Sequence, residues 1–323
     1  MKFIVTGGAG FIGHNVVEQL ESLGHECLVI DCMTNYGFVP AQEIEYLVDE
    51  RQKKFQATIH DVDIRDYRAV AVNFERAGAV DAVIHLASFP RQKVVSQRPV
   101  WAAEVMTPAL VKLLELTHRH HIPKFVYISS SMVYGDFDND VTEDAVCNPQ
   151  GLYGIMKYQG ERLVEDYSRR GCFDHVIIRP SAVYGPRDVE DRVVSKFMLG
   201  AIRGETLKIN GADEVLDFTY VSDTAQGIVL AATLTAANGN IFNITRSDQR
   251  LYTLKDAAEM AIACAGTGTL EIRGKDADFP SRGRLSIDRA ADLLGYTPSV
   301  SVPEGFQLYH KWLTESTFWQ SRL

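Results

Sequence analysis

The chain has 323 residues, 46% of them hydrophobic and 23% charged, a balance that excludes disordered, collagen-like and coiled-coil classes. It carries 33 Lys plus Arg against 42 Asp plus Glu, a net charge of −9, and so lacks the basic footprint of a nucleic-acid binder. Five cysteines (Cys27, Cys32, Cys147, Cys172 and Cys264), odd in number and without metal-ligand spacing, point to reduced thiols and a cytoplasmic location. No apolar run reaches the roughly 20 residues that a membrane-spanning helix needs, so no membrane partner is expected. The first residues already read as a strand, with no signal segment ahead of it.

In chain order, short apolar runs predict strands at Phe3–Thr6, Glu26–Asp31, Phe55–His60, Ala82–His85, Phe125–Ser129 and His175–Arg179. Helical patterns lie between most of them, at Gly13–Leu23, Arg65–Arg76, Val100–Arg119 and Tyr153–Arg169. Strand and helix in alternation predict an α/β fold, a doubly wound parallel sheet of the Rossmann type. Residues 32–54 form a long polar connection, and a connection of that length inside a compact domain is usually functional or itself structured. After Arg179-Pro180 the segments shorten. Helices are expected at Asp223–Thr235, Leu254–Ala265, Asp288–Leu294 and Pro303–Leu313, and a strand at Ile241–Thr245.

Gly7, Gly10 and Gly13 follow the first strand and open a helix. Glycine there permits a tight turn and close approach of backbone to a pyrophosphate, which the free N–H groups of the helix end attract. Asp31 closes the second strand, where a carboxylate accepts hydrogen bonds from an adenosine ribose and repels a 2′-phosphate; the pattern favours NAD over NADP. Asp63 and Ile64 follow the third strand, where an adenine can sit, although the same stretch reads equally well as a capped helix start. Leu86 and Ala87 follow the fourth strand at the carboxyl edge of the sheet, where doubly wound folds bind ligands.

Tyr153 and Lys157 are four apart, on one face of a helix. A lysine near a phenol stabilises phenolate, as does a positively charged nicotinamide ring, and the lowered pKa lets Tyr153 take a proton from a sugar hydroxyl. A serine of the run Ser129-Ser130-Ser131 is placed to share that hydrogen bond. His118-Arg119-His120-His121 closes a helix without an acidic or cysteine partner at suitable spacing, so no metal is expected.

The order of these motifs, followed by Arg179-Pro-Ser-Ala-Val-Tyr-Gly-Pro186, Asp217-Phe218, and Leu294-Gly295-Tyr296-Thr297-Pro298, resembles the extended short-chain dehydrogenase/reductases, in particular the nucleotide-sugar epimerase/dehydratase family. The resemblance spans almost the whole chain. It implies a Rossmann domain over residues 1–179 and a smaller mixed α/β substrate lobe over residues 180–323, with segments near 218–245 packing back on the first. It also implies a homodimer built on the helices Val100–Arg119 and Tyr153–Arg169, a nucleotide-diphosphate sugar as substrate and NAD as cofactor.

Carried onto this sequence, the family pattern makes Ser130, Tyr153 and Lys157 catalytic. It assigns Gly7, Gly10, Phe11, Ile12, Gly13, Asp31, Asp63, Ile64, Leu86, Ala87 and Lys157 to the cofactor. Relatives that dehydrate carry acids in the serine run, and those that epimerise at C3 and C5 carry a cysteine where this chain has Met132. The implied chemistry is therefore epimerisation at C4 through a transient 4-keto sugar with retained NAD. The alternatives are a 4-keto reductase or C4 dehydrogenase on the same residues, and a non-catalytic NAD-binding sensor. Three positions depart from the family: Ala182 and Glu104 replace asparagines, and Leu216 replaces the arginine that holds the substrate diphosphate. Ser131, Arg91, Lys93, Lys196 and Arg282 are the candidates for that task.

Overall fold

The structure, a computed structural model, describes residues 1–34, 37, 39–274 and 280–322. The first six strands are β1 (Lys2–Thr6), β2 (Glu26–Asp31), β3 (Ile59–Asp61), β4 (Ala82–His85), β5 (Lys124–Ile128) and β6 (Asp174–Pro180). The second half of the chain adds β7 (Val183–Tyr184), β8 (Thr206–Asn210), β9 (Val215–Leu216), β10 (Thr219–Tyr220), β11 (Asn240–Ile244), β12 (Tyr252–Thr253) and β13 (Thr269–Arg273). Seven strands form one sheet in the order β11-β6-β5-β4-β1-β2-β3, every pair parallel. The chain runs outward from β1 through β2 to β3, then returns and runs the other way from β4. The switch point therefore lies between β1 and β4, and it opens a crevice beyond their carboxyl ends.

Helices α1 (Phe11–Ser22), α2 (Ala41–Gln52), α3 (Tyr67–Ala77), α4 (Gln92–Gln97), α5 (Pro99–Met106), α6 (Pro108–Arg119) and α7 (Gly151–Arg169) come from the first half. Helices α8 (Val193–Ile202), α9 (Val221–Thr233), α10 (Leu254–Ala265), α11 (Asp288–Leu294), α12 (Val302–Glu315) and α13 (Thr317–Gln320) follow. One apolar layer packs α3, α5, α6 and α7 on one face of the sheet through Phe74, Leu110, Leu113, Leu114 and Val164. The other packs α1, α9 and α11 on the opposite face through Val16, Val17, Leu20, Ile228 and Leu294. The polar connection after β2 holds α2. Tyr46 of α2 stacks on Phe318 at a centroid distance of 4.3 Å, tying α2 to the end of the chain.

Two expectations change. The single helix Val100–Arg119 is two, because Pro108 has no N–H to donate and starts α6 afresh behind Thr107. The third strand begins later than Phe55: Phe55 is buried but irregular, and only Ile59–Asp61 pairs with β2.

A buried ion pair joins the sheet to α7. Arg179 of β6 donates from Nε and Nη2 to the two Glu161 carboxylate oxygens at 3.0 and 2.7 Å, both side chains almost fully enclosed. Ser129 donates to the same carboxylate at 2.5 Å, and Arg179 Nη1 reaches Tyr134 Oη and the Glu143 carbonyl oxygen at 2.9 and 3.1 Å. Removing one partner of such a pair strands the other charge in the interior. Arg179→Met is expected to lower unfolding free energy by about 3–5 kcal/mol in urea titrations; a change below about 1 kcal/mol would show that the pair is dispensable.

Candidate active site

A cavity of about 420 Å³ occupies the switch point. Gly7, Gly10, Phe11, Ile12 and Gly13 form one end, with Asp31, Asp63, Ile64, Leu86 and Ala87 along it. Ser130, Ser131, Met132, Tyr153 and Lys157 lie further in. The segment Pro180–Val183, with Asp188, Val189, Arg192 and Arg282, closes the far side.

The glycines are there because nothing larger fits. Gly7 has φ +76°, and a Cβ on it would lie 2.5 Å from the Ala87 nitrogen; one on Gly13 would lie 2.1 Å from the Gly7 oxygen. Gly10 precedes α1, whose first turn has no side-chain cap and no acidic residue, so its N–H groups are directed at the cavity without a competing anion. Asp31 Oδ2 accepts from Ala9 N at 3.0 Å and Oδ1 from Met33 N at 2.8 Å, fixing the carboxylate under the loop; burial pushes its pKa up. Asp63 is gripped by Arg65, whose Nη2 lies 2.7 Å from Oδ2, and Asp66, rather than Asp63, caps α3. These features fit a dinucleotide: a small-residue cradle, a positive helix end and a carboxylate at the end of β2.

Ser130 follows β5 in extended backbone, its hydroxyl accepts from Met132 N at 3.2 Å, and it lines the cavity with Tyr153. Burial pushes the Tyr153 phenol up, while the Ser130 hydroxyl and the charge of Arg192 pull it down. One turn on, the Lys157 ammonium donates to the Ile128 carbonyl at 2.7 Å and lies 5.9 Å from the centre of the Tyr153 ring. Burial pushes Lys157 down to about 7, opposed by the charge of Glu161. His85 is buried beside Thr6, Nδ1 to Oγ1 2.7 Å, and burial together with Lys157 takes it down to about 3, which leaves it neutral.

The candidate substrate cations separate. Arg91 and Arg282 line the cavity, whereas Lys93 and Lys196 do not. Arg91, Lys93 (3.8 Å) and Lys196 (2.5 Å) converge on the Asp191 carboxylate, which holds all three side chains in place while cancelling only one of their charges. Arg282 is different: its buried Nε has no hydrogen-bond partner among the described residues, and burial pushes it down to about 10. Of the departures from the family pattern, Leu216 is buried in an apolar cluster with Phe218 and Phe306, and Glu104 pairs with Arg65 at 3.1 Å, both off the cavity wall. Ala182 does line it and keeps a left-handed φ of +37°, a conformation an asparagine adopts more readily.

Sequence reasoning missed Arg51, Asp188 and Arg192. Arg51 Nη1 donates to the Ala9 carbonyl at 3.1 Å and Nη2 to that of Arg187 at 2.7 Å, linking the glycine loop to the segment after β7. Its only signal was its place in the long polar connection. Asp188 and Arg192 pair locally, four residues apart at 3.4 Å, and nothing in residue order marked that both line the cavity. Among the described residues no cluster of three or more His, Cys, Asp or Glu is arranged to hold a metal, and no helix is long and apolar enough to cross a membrane.

Residues 3–245 match the model of the NAD dependent epimerase/dehydratase family, and the chain belongs to that family. An uncharacterized UDP-glucose epimerase of Bacillus subtilis is 30% identical over 94% of this chain and 95% of its own length. A UDP-glucuronic acid 4-epimerase from Bacillus cereus, solved in complex with UDP-glucuronic acid and NAD, superposes with a TM-score of 0.86 at 26% identity, covering 98% of this chain and 99% of that one. A UDP-glucose 4-epimerase from Thermotoga maritima, solved with UDP-glucose, gives 0.86 at 25% identity over the same shares.

Lys157 costs stability where its charge is forced into the interior. The unfolded chain holds that proton up to the ordinary lysine value near 10.4, whereas the folded site releases it near 7. The penalty is thus complete below pH 7 and relieved as pH rises toward 10. Lys157→Met in NAD-stripped protein is expected to melt above the parent at pH 7, with the gap narrowing by pH 9.5. A gap independent of pH would remove the buried-charge explanation.

Proposed function

We propose that the chain is an NAD-dependent nucleotide-sugar 4-epimerase. The observation that carries this reading is the Ser130–Tyr153–Lys157 group at the switch-point cavity, with Met132 rather than an acid beside it. The B. subtilis relative and the B. cereus and T. maritima structures support a UDP-sugar as the substrate.

On this reading Gly7–Gly13 and the α1 end hold the pyrophosphate, Asp31 the adenosine ribose, and Asp63 and Ile64 the adenine. Leu86 and Ala87 border the cofactor, and Lys157 reaches the nicotinamide ribose. When bound, NAD supplies a reversible two-electron acceptor. Tyr153 takes the proton of the C4 hydroxyl as that carbon is oxidised, and returns it after the 4-keto sugar has presented its other face. Lys157 holds the phenolate by its charge, and Ser130 donates to the same sugar oxygen. Arg282, whose Nε has no hydrogen-bond partner among the described residues, faces the substrate diphosphate in the role that Leu216 has vacated; Ser131 lies on the same cavity, and Arg91 is held by Asp191.

The exclusion of acids from the serine run separates this reading from dehydration, in which a second group must move a proton. It also predicts no net cofactor consumption, unlike a reductase or dehydrogenase. The boundary between the NAD domain, residues 1–179, and the substrate lobe, residues 180–323, is read at the end of β6. Residues 218–245 return to the first domain: β11 adds to the sheet edge and α9 packs on α1. Five free cysteines fit a reducing, cytoplasmic compartment.

UDP-glucose and UDP-glucuronic acid, each incubated without added NAD, are expected to yield 4-epimers, followed by NMR of the sugar anomeric protons. Tyr153→Phe is expected to lower turnover by about 10²–10⁴-fold while NAD remains bound. Activity within tenfold of the parent would remove Tyr153 from the base role.

We further propose a homodimer through α5, α6 and α7, on which Val100, Leu152 and Ile155 are exposed. Light scattering after size exclusion is expected to give twice the chain mass, and Ile155→Asp to shift it toward one. A parent protein of single mass would overturn this.

A further inference from the structure

Helix α2 is not held by an apolar face. Its buried residues are Glu43, Leu47 and Arg51, so two of the three carry charge. Polar contacts place it instead, and they come from residues 187–190 and 316–322, in the second half of the chain. At its last turn, Arg51 donates from Nε and Nη2 to the Arg187 carbonyl at 3.2 and 2.7 Å, and Arg187 Nε returns a bond to the Glu50 carbonyl at 3.3 Å. At its first turn, Glu43 Oε1 accepts from Glu190 N at 2.8 Å. The Tyr46 hydroxyl lies 2.7 Å from Ser316 Oγ, its ring stacks on Phe318, and Gln42 accepts from Arg322 at 3.2 Å.

Another side of α2 faces the cofactor end of the cavity. Ile44 and Arg51 both line it, and a separation of about two turns puts them on one helix face. Arg51 Nη1 donates to the Ala9 carbonyl at 3.1 Å, while Ala9 N donates to Asp31 Oδ2 at 3.0 Å. Ala9 stands between Gly8 and Gly10, and both of its backbone groups are gripped by side chains of opposite charge. Glycine gives a chain wide conformational freedom, and this grip removes it just where the free N–H groups of α1 begin. A bare carbonyl oxygen near a diphosphate would repel it; the guanidinium covers that partial charge. Only a fork can serve both segments at once, since it presents Nη1 to Ala9 and the Nε–Nη2 edge to Arg187.

We propose that Arg51 is a positioning residue for NAD, and that α2 is the strap through which the second half of the chain, down to its last helix, governs how tightly the cofactor is held. The end of the chain then contributes to cofactor affinity without lining the cavity. The inference concerns cofactor binding and stands whichever sugar is converted.

The test is the dissociation constant of NAD, measured by calorimetry on NAD-stripped parent, Arg51→Met, Arg51→Lys and Phe318→Ala, with the melting temperature of each stripped protein alongside. Titrations well below each melting temperature read the folded site, so a residue that merely supports the fold would leave the constant unchanged. Arg51→Met is expected to weaken NAD about thirtyfold, the size of a lost hydrogen bond to a charged group. Arg51→Lys keeps the charge and loses the fork, and is expected to recover part of that loss. Phe318→Ala, whose side chain lies off the cavity wall, is expected to weaken NAD about fivefold, the lower end of coupling between separate sites. An Arg51→Met protein that binds NAD within threefold of the parent overturns the positioning role. If that variant does not fold, Arg51→Lys decides, and parent-like affinity there overturns the role. A Phe318→Ala protein with the parent's NAD affinity overturns the strap. Neither result bears on the 4-epimerase reading, which is tested by product.

Discussion

The Glu161 carboxylate lies one helical turn beyond Lys157 and receives three hydrogen bonds, two from Arg179 and one from Ser129. These partners belong to three different elements. Ser129 immediately precedes Ser130, Arg179 immediately precedes the strand end that leads to Ala182, and Glu161 shares α7 with Tyr153 and Lys157. One enclosed carboxylate therefore sets the distance between the serine, the phenol and the far wall of the cavity. It also keeps a negative charge near a buried ammonium that would otherwise lose its proton more readily. Buried ion pairs seldom add much net stability over an apolar replacement, but they are intolerant of losing one member. That intolerance suits a site in which small displacements are costly to rate.

The acidity of the chain and the anionic nature of its ligands are reconciled locally. At the cofactor end the work is done by backbone N–H groups at the start of α1, which need no side-chain charge. At the substrate end, three basic residues are tied to Asp191 and are not free for a ligand, whereas Arg282 and Arg192 retain donors facing the cavity. Net charge says little about such a site, because two guanidinium groups in a partly dry cleft outweigh many solvated carboxylates.

The two ends are also mechanically linked. Arg51 bonds the glycine loop and the Arg187 carbonyl together, and α2, which carries it, is pinned by the stack of Tyr46 on Phe318. Ala182 and Arg187 both hold positive φ, at +37° and +67°, so the segment that closes over the cavity is kept in a conformation that costs energy away from it. At Ala182 the family's asparagine is gone but the backbone conformation it favours remains.

The sequence by itself determined the parallel α/β sheet, the glycine loop, Asp31 and the Tyr153–Lys157 pair, while the choice of Ser130 within the serine run came from the family resemblance. The former rest on local chemistry: periodicity, a turn that admits only glycine, or a spacing of four on one helix face. It also marked the later helices closely, Leu254–Ala265 and Asp288–Leu294 to the residue. Only the tertiary structure decided which cations face the cavity. Arg91, Lys93 and Lys196 looked alike as isolated charges until the fold brought Asp191 to them, and Arg192 gained meaning only when the chain after Pro186 was seen to line the cavity. Long-range pairings of this kind leave no trace in residue order, because a charge is read by what lies within a few ångströms of it and not by its neighbours along the chain.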